Sequence, residues 1–200
     1  MIKVKARYVV LFILLVLFFG GWYIAENFVF QTVPERVEKY CSEKYGGEFS
    51  WVSYINERNT ENVRVSKVAD SDGVVFTVER YYDVDNQLHY KDNYYAYKHE
   101  NEIYELLRKS IPKTYNFSLC IENSNLLDVK DSNIDVVNFC RDSSTILSIN
   151  IISDKILTKD GMSDISESLR GIARISAHVM VDGSEEQRFA TDKDYNLIIR

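Results

Sequence analysis

Hydrophobic residues form one long uninterrupted block near the start of the chain. The block runs from Tyr8 to Ala25 without a charged residue. Eighteen residues of α-helix span roughly 27 Å, which is close to the thickness of the hydrocarbon core of a bilayer. The pattern therefore predicts a transmembrane signal anchor over residues 8–27, with the lipid bilayer as its partner.

The residues that flank this block predict its orientation. Glu26 is the first charge after the block, and three basic residues precede it, namely Lys3, Lys5 and Arg7. The positive-inside rule then places a basic stub of residues 1–7 in the cytoplasm and the rest of the chain outside a single-pass cell membrane. Aromatic residues typical of a membrane interface stand at the ends of the block, namely Tyr8, Trp22 and Tyr23.

A cleaved signal peptide and a buried helix of a soluble protein are the alternatives for this block. Cleavage requires small residues at the −3 and −1 positions. Cleavage after Gly20, Gly21 or Ala25 would place an aromatic residue at −3, and no cysteine follows the block closely enough for a lipoprotein signal. The uncleaved anchor is therefore the preferred interpretation.

After the block, the spacing of apolar residues predicts a helix followed by a meander of strands. Pro34 suits the first turn of a helix, and Gly46 with Gly47 ends it. Alternating residues predict a strand from Phe49 to Ile55. The segments Val63–Ala69 and Val74–Tyr82 then form the arms of a hairpin around an Asp-Gly turn.

The second half of the chain continues with a helix and further strands. The predicted elements are a helix over Asn93–Ile111, strands over Tyr115–Ile121, Ile134–Phe139 and Thr145–Ile152, a helix over Ser163–Ala173, and a hairpin of Ile175–Val181 with Gln187–Thr191. No parallel strand–helix–strand crossover is evident. The chain is therefore predicted to be an α+β protein, in which a transmembrane helix precedes helices packed on antiparallel sheets.

In one form of this prediction, residues 33–111 and 112–200 fold as two α+β subdomains. The alternative is that residues 112–200 continue the same domain. A helix leads into a Phe-Ser dipeptide in each half, at Phe49 and at Phe117.

Charge and cysteine content narrow the classes of partner. The formal net charge of the whole chain is −6, which disfavours binding of nucleic acid because that requires clustered positive charge. Cys41, Cys120 and Cys140 are an odd, scattered set without metal-ligand spacing. Buried free thiols are the preferred interpretation, and a bridge between Cys120 and Cys140 is the alternative.

Tyrosines are concentrated between residues 81 and 104. Tyrosine provides a rigid contact area with a polar tip, as recognition surfaces often do. The candidate binding residues are Tyr81, Tyr82, Tyr94, Tyr95 and Tyr97. The alternative is that these rings fill the space between helix and sheet.

The sequence contains no recognisable catalytic or metal-binding motif. His89 and His99 are ten residues apart, and His178 alternates with apolar neighbours, so it is expected to face solvent. Two turns are rich in aspartate, at Asp70–Gly73 and Asp83–Asn86. Neither has the glycine at position six or the glutamate at position twelve that an EF-hand loop requires. We therefore expect no catalytic residue, no metal and no cofactor.

Three short segments between residues 35 and 95 resemble a known group of proteins. They are Tyr45-Gly46-Gly47-Glu48-Phe49, Phe76-Thr77-Val78 and Asp92-Asn93-Tyr94. They are similar to uncharacterised small membrane-anchored extracytoplasmic proteins of low-GC Gram-positive bacteria. The resemblance covers about a third of the chain and implies no catalytic residue. In outline, a helix on an antiparallel sheet is also similar to cystatin-like and PepSY-like modules.

These observations lead to a functional hypothesis that rests mainly on location. The chain is expected to be a membrane-anchored extracytoplasmic binding module that contacts a protein, a peptide or an envelope component, in an accessory, regulatory or immunity-type role. A cell-envelope hydrolase with a site assembled from distant residues and a structural spacer are the alternatives.

Overall fold

The structure is a computed structural model that describes residues 14–20, 32–55, 58, 60, 63–129 and 133–199. Its helices are α1 (Val33–Tyr45), α2 (Tyr94–Lys98), α3 (Glu100–Ser110), α4 (Val136–Arg141) and α5 (Lys159–Ser168), with a 3-10 turn at Ile121–Asn123. Its strands are β1 (Phe49–Tyr54), β2 (Val63–Asp70), β3 (Val75–Tyr82), β4 (Leu88–Asp92), β5 (Asn116–Leu119), β6 (Leu147–Ser153), β7 (Ile175–Val181), β8 (Ser184–Thr191) and β9 (Leu197–Ile199). The predicted α+β class is confirmed.

The first sheet is an antiparallel meander in the order β1-β2-β3-β4. Helix α1 begins at Val33, where the Glu35 carboxylate accepts a hydrogen bond of 2.7 Å from the amide of Thr32. The helix ends at Gly46, whose φ of 69° favours glycine. Its buried side chains share a core with residues of the sheet, and the full set is Val37, Cys41, Phe49, Val68, Phe76 and Val78. The predicted helix and hairpin are confirmed here.

The second sheet is mixed, in the order β5-β6-β7-β8-β9. Strands β6 and β7 pair in parallel, and helix α5 lies in the crossover that joins them. The prediction of antiparallel sheets alone is therefore wrong. The predicted order of strand, helix and strand over residues 145–181 is compatible with this crossover, but the spacing of apolar residues does not show which strands become neighbours.

Two further elements differ from their predictions. The helix predicted over Asn93–Ile111 is divided at His99, whose φ of −107° separates α2 from α3. The strand predicted over Ile134–Phe139 is helix α4. Its N-cap is Asp135, whose carboxylate accepts a hydrogen bond of 2.9 Å from the amide of Asn138. The Asp135 carboxylate gives a hydrogen-bond partner to an amide in the first turn that has no partner within the helix, so it favours a helix over an extended segment.

The transmembrane part of the predicted fold is corrected. Within the described ranges, no helix combines the length and the apolar character that crossing a bilayer requires. Residues 14–20 are helical and exposed. The other predicted anchor and topology residues lie outside the described residues, namely Tyr8, Trp22, Tyr23, Lys3, Lys5 and Arg7. The predicted location at a cell membrane stays a prediction.

The larger core lies under the second sheet and also takes in helices that precede it. Ile103 and Leu107 of α3 are fully buried there, together with Tyr95 and Ala96 of α2. Helices α2 and α3 thus pack with the strands that follow them in sequence. The division into units at residues 111 and 112 stays a prediction.

Strand β6 offers a matched test of this packing. Ile151 is completely buried, whereas its neighbour Ile152 is 57% exposed on the other face of the sheet. We expect Ile151→Ala to lower the free energy of unfolding by about 2–5 kcal/mol because it leaves a cavity. We expect Ile152→Ala to change it by less than about 0.5 kcal/mol. Urea unfolding of both variants measures the difference, and equal losses would contradict the assigned faces of the strand.

Candidate functional site

The carboxylate of Asp92 is the centre of a polar network in the first half of the chain. Asp92 is the last residue of β4 and is 7% exposed. It accepts hydrogen bonds of 2.7 Å from the hydroxyls of Tyr40 and Tyr45 and one of 2.8 Å from the Lys44 ammonium. The amide of Tyr94 donates to it at 3.0 Å. Four donors therefore compensate the burial of this charge.

The geometry of α1 explains why these donors converge. Residues four positions apart on a helix lie on one face, so Tyr40 and Lys44 are turned together towards the end of β4. Tyr45 is the last residue of the helix, and its hydroxyl reaches the same carboxylate. Lys44 also donates to the Tyr40 hydroxyl at 2.9 Å. It lies within 5.3 Å of the centres of both tyrosine rings, which suits a cation–π contact.

Lys44 extends the network beyond the first sheet. Its ammonium forms a second ion pair of 2.8 Å with Asp128, and its side chain is only 11% exposed. Asp128 stands between Leu127, which packs against the larger core, and Val129, which is part of that core. An ammonium has three protons, and all three have acceptors here. The network therefore connects the two cores of the chain through a single lysine.

The network also suppresses ionisation of its tyrosines. Burial raises the pKa values of Tyr40 and Tyr45 well above the ordinary value, and the Asp92 carboxylate adds to the rise. Burial likewise raises the pKa of the neighbouring Cys41 thiol to about 12, with a further contribution from Asp92. At neutral pH these hydroxyls are donors to Asp92, and the thiol is not a thiolate.

An open cleft of about 370 Å³ borders this network, and we call it the tyrosine cleft. It is lined by Tyr40, Glu43, Lys44, Tyr90 and Asp128. The rings of Tyr40 and Tyr90 stack with their centres 4.7 Å apart and 17° between their planes. The stacked pair forms a flat aromatic wall, which the hydrogen bond from Tyr40 to Asp92 holds in place.

The two ends of the tyrosine cleft differ in charge. Glu43, Asp128 and the adjoining Asp92 carry three carboxylates against two ammonium groups, those of Lys44 and of Lys39, which lies 3.9 Å from Glu43. At the other end, burial raises the pKa of the Tyr90 hydroxyl, and the nearby guanidinium groups of Arg80 and Arg36 oppose that rise. The Glu43–Asp128 end is thus net negative.

The structure does not bring the five predicted tyrosines together on one surface. Tyr94 packs on Phe76 with ring centres 4.7 Å apart and donates to Asp70 at 2.9 Å. Tyr95 is 5% exposed in the larger core, and the half-buried Tyr97 contacts both cores.

Tyr81 and Tyr82 are consecutive on β3, so their side chains leave opposite faces of the sheet. Tyr81 stacks on His89 with a centre distance of 5.5 Å, and Tyr82 is 40% exposed. A role of the five tyrosines in binding stays a prediction.

The tyrosine cleft uses residues that the sequence did not single out. Tyr40 and Lys44 belong to α1, and Asp128 belongs to a polar stretch that looks like an ordinary loop. Asp92 precedes the predicted helix over Asn93–Ile111, a position typical of an N-cap, but the N-cap is Asn93. Only the helical spacing of Tyr40 and Lys44 indicated that these two share a face. Nothing local indicated which strand they would meet.

The cysteines and histidines are placed apart from one another. All three cysteines are free, and burial raises the pKa of the Cys140 thiol to about 12. The preferred interpretation as free thiols is confirmed. The histidines each pair with a carboxylate, namely His89 with Asp83, His99 with Glu102 and His178 with Glu185. Within the described part of the chain, no three potential metal ligands of the His, Cys, Asp and Glu types lie together.

Comparison of the chain with protein-family models, with curated proteins and with solved structures gives no match. The resemblance to membrane-anchored proteins of Gram-positive bacteria stays a prediction.

Replacing Asp92 tests the network directly. In Asp92→Asn, an NH2 group, which can only donate, replaces one of the two carboxylate oxygens that accept hydrogen bonds. Lys44 also loses its buried counter-ion. We expect a loss of about 3 kcal/mol in the free energy of unfolding. Asp128→Asn is the matched control, because Asp128 is 31% exposed, and we expect it to lose about 1 kcal/mol or less. Denaturant unfolding at neutral pH measures both, and similar losses would mean that Asp92 is not the central acceptor.

The raised tyrosine pKa values predict a decrease in stability at alkaline pH. Above about pH 10 the tyrosines of the unfolded chain ionise, while Tyr40 and Tyr45 in the folded chain stay protonated. The unfolded state then binds fewer protons, so stability falls as pH rises, by up to about 1.4 kcal/mol per pH unit for each tyrosine. We expect a shallower decline in Tyr40→Phe/Tyr45→Phe than in the unmodified chain, measured by urea unfolding at a series of pH values. An unchanged slope would show that these two hydroxyls ionise normally in the folded state.

Proposed function

We propose that this chain is a non-catalytic interaction module that binds a segment of a partner protein or peptide in the tyrosine cleft. The observation that carries the proposal is the stacked Tyr40–Tyr90 pair, which lies open beside the carboxylates of Glu43 and Asp128. Tyrosine rings are typical of the anchor pockets of interfaces.

The rigidity of the wall supports a binding role. Tyr40 donates to Asp92 and accepts from Lys44, so its ring has little freedom to move. The ring of Tyr90 stacks on it. A surface that is ordered before binding loses less conformational entropy on association. Tyrosine also provides a large contact area with few rotatable bonds.

The charge of the tyrosine cleft selects the chemistry of the partner. Three carboxylates against the ammonium groups of Lys44 and Lys39 leave an excess of negative charge, which favours a cation at the Glu43–Asp128 end. A guanidinium or ammonium group there contacts both the ring faces and the carboxylates. The net charge of −6 of the whole chain would also steer a basic partner towards it. The proposed partner segment therefore carries an arginine or a lysine.

The chemistry around the cleft gives less support to a hydrolase. Cys41, the thiol near the network, is buried and its pKa is raised to about 12. A thiol acts as a nucleophile through its thiolate, and at neutral pH this one is protonated. The tyrosine hydroxyls beside it donate to Asp92.

Blocked pentapeptides with one central variable residue test the proposal on the full chain. We expect peptides with arginine or lysine to shift the NMR signals of Tyr40 and Tyr90, and to bind about tenfold more tightly than peptides with norleucine or glutamate. Tyr90→Leu is expected to abolish the preference, and Tyr90→Phe is expected to retain it because the ring remains.

Tyr82→Leu is the matched control, because Tyr82 is an exposed tyrosine outside the cleft. It is expected to leave binding unchanged. Equal binding of the arginine and glutamate peptides would contradict the charge selection. If Tyr82→Leu weakened binding and Tyr90→Leu did not, the predicted patch around Tyr81 and Tyr82 would replace the cleft as the binding surface. Absence of shifts with every peptide would favour a structural spacer.

A further inference from the structure

A second, smaller cavity lies on the face of the first sheet that α1 does not cover. Phe76 and Val78 of β3 are in the core with α1, so the alternating residues Thr77 and Glu79 face the other way. Lys91 of β4 is directly opposite Glu79 in the strand register and shares that face. These three residues form one wall of a cavity of about 70 Å³.

The opposite wall comes from segments distant in the sequence. Arg58 follows β1, and Glu122 belongs to the 3-10 turn that follows β5; both line the cavity. The Arg58 guanidinium donates to the backbone carbonyl of Glu122 at 3.4 Å, and that bond brings the two walls together. The cavity is therefore built from both halves of the chain, and we call it the charged pocket.

Five charged residues line the charged pocket; Asp92 is paired with Lys44, and the other four are not neutralised by each other. Arg58 and Lys91 are positive, and Glu79 and Glu122 are negative. Among the residues that the structure describes, none of the four forms an ion pair, although Lys44, Lys98, Arg170 and Arg188 do so elsewhere. Even Glu79 and Lys91, which are cross-strand partners, remain beyond ion-pair distance. Two charges of each sign are thus available to a ligand.

Uncharged polar groups complete the wall. The Thr77 amide donates to Asn93 Oδ1 at 2.7 Å, which fixes the Asn93 side chain at the edge of the sheet. Thr77, which is 9% exposed, and Ser124 also line the cavity, so hydroxyl groups stand beside the four charges.

We infer that the charged pocket binds a small zwitterion of the free α-amino acid class. A simple anion would be repelled by Glu79 and Glu122, and a simple cation would be repelled by Arg58 and Lys91. A molecule with an ammonium and a carboxylate satisfies charges of both signs at once, and the cavity volume restricts it to a small side chain. Asp92 lines this pocket and also holds Tyr40 in place, but the four unpaired charges lie outside the tyrosine cleft, so the inference does not depend on the proposed function.

Ligands of matched size test this inference on the unmodified chain. Glycine and alanine are the zwitterionic probes, acetate and methylammonium carry one charge each, and glycylglycine separates its two charges further. We expect glycine and alanine to shift the NMR signals of Thr77, Lys91 and Asn93 in a saturable way. We expect affinities about tenfold or more above those of the singly charged probes. Tighter binding of glycylglycine would identify a short peptide as the ligand and would overturn the assignment to a free amino acid.

Two variants remove one charge each from the charged pocket. Lys91→Met and Glu79→Gln are both expected to weaken alanine binding about tenfold or more. Lys113→Met and Glu48→Gln are the matched controls, since both residues are exposed and outside the pocket. Binding of acetate or methylammonium as tight as that of glycine would overturn the inference. So would equal effects of the pocket and control variants, or no saturable shift with any probe.

Discussion

The ion pair between Asp92 and Lys44 is the interaction on which the arrangement of this chain depends. Asp92 ends the first sheet, and Lys44 reaches from the helix that covers it to Asp128 beside the larger core. A buried carboxylate is costly unless donors surround it, and two tyrosine hydroxyls and a backbone amide supply the rest of its hydrogen bonds. The same contacts that offset this cost also orient Tyr40, so the wall of the tyrosine cleft results from satisfying one charge.

Tyrosine has several distinct roles in this chain, and the sequence does not separate them. Tyr94 and Tyr95 place their rings in cores and use their hydroxyls to satisfy buried acceptors, namely Asp70 and the carbonyl of Ile134. Tyr40 and Tyr90 stack at the edge of a core, where one side of the pair stays accessible. A cluster of tyrosines along the chain therefore indicates amphipathic positions. Whether the tyrosine at such a position lies in a core or at the surface depends on the strand or helix that packs against it.

The parts of the fold that the sequence predicted are those with local signals. Pro34 and the glycines after Tyr45 delimit α1, and an Asp-Gly turn at Gly73 defines the hairpin of β2 and β3. The parallel pairing of β6 and β7 has no local signal, since it depends on which distant strands become neighbours. The segment at α4 is too short for its apolar spacing to distinguish helix from strand, and the Asp135 cap decides it. The candidate site was missed for the same reason as the parallel pairing, namely that no local signal shows which distant segments meet. Helical spacing places Tyr40 beside Lys44, but Asp92 and Asp128 join them only in the folded chain.

The parallel pair of strands also has a consequence for how this chain folds. Each strand of the first sheet pairs with its neighbour in sequence, so this sheet can form through a series of short loop closures. Pairing of β6 with β7 closes the longer loop that contains α5, which costs more conformational entropy than closing the short loops of the first sheet. Contacts between distant residues slow folding. The second sheet is therefore expected to set the folding rate, and the lysine that joins the two cores to be among the last residues to find both of its partners.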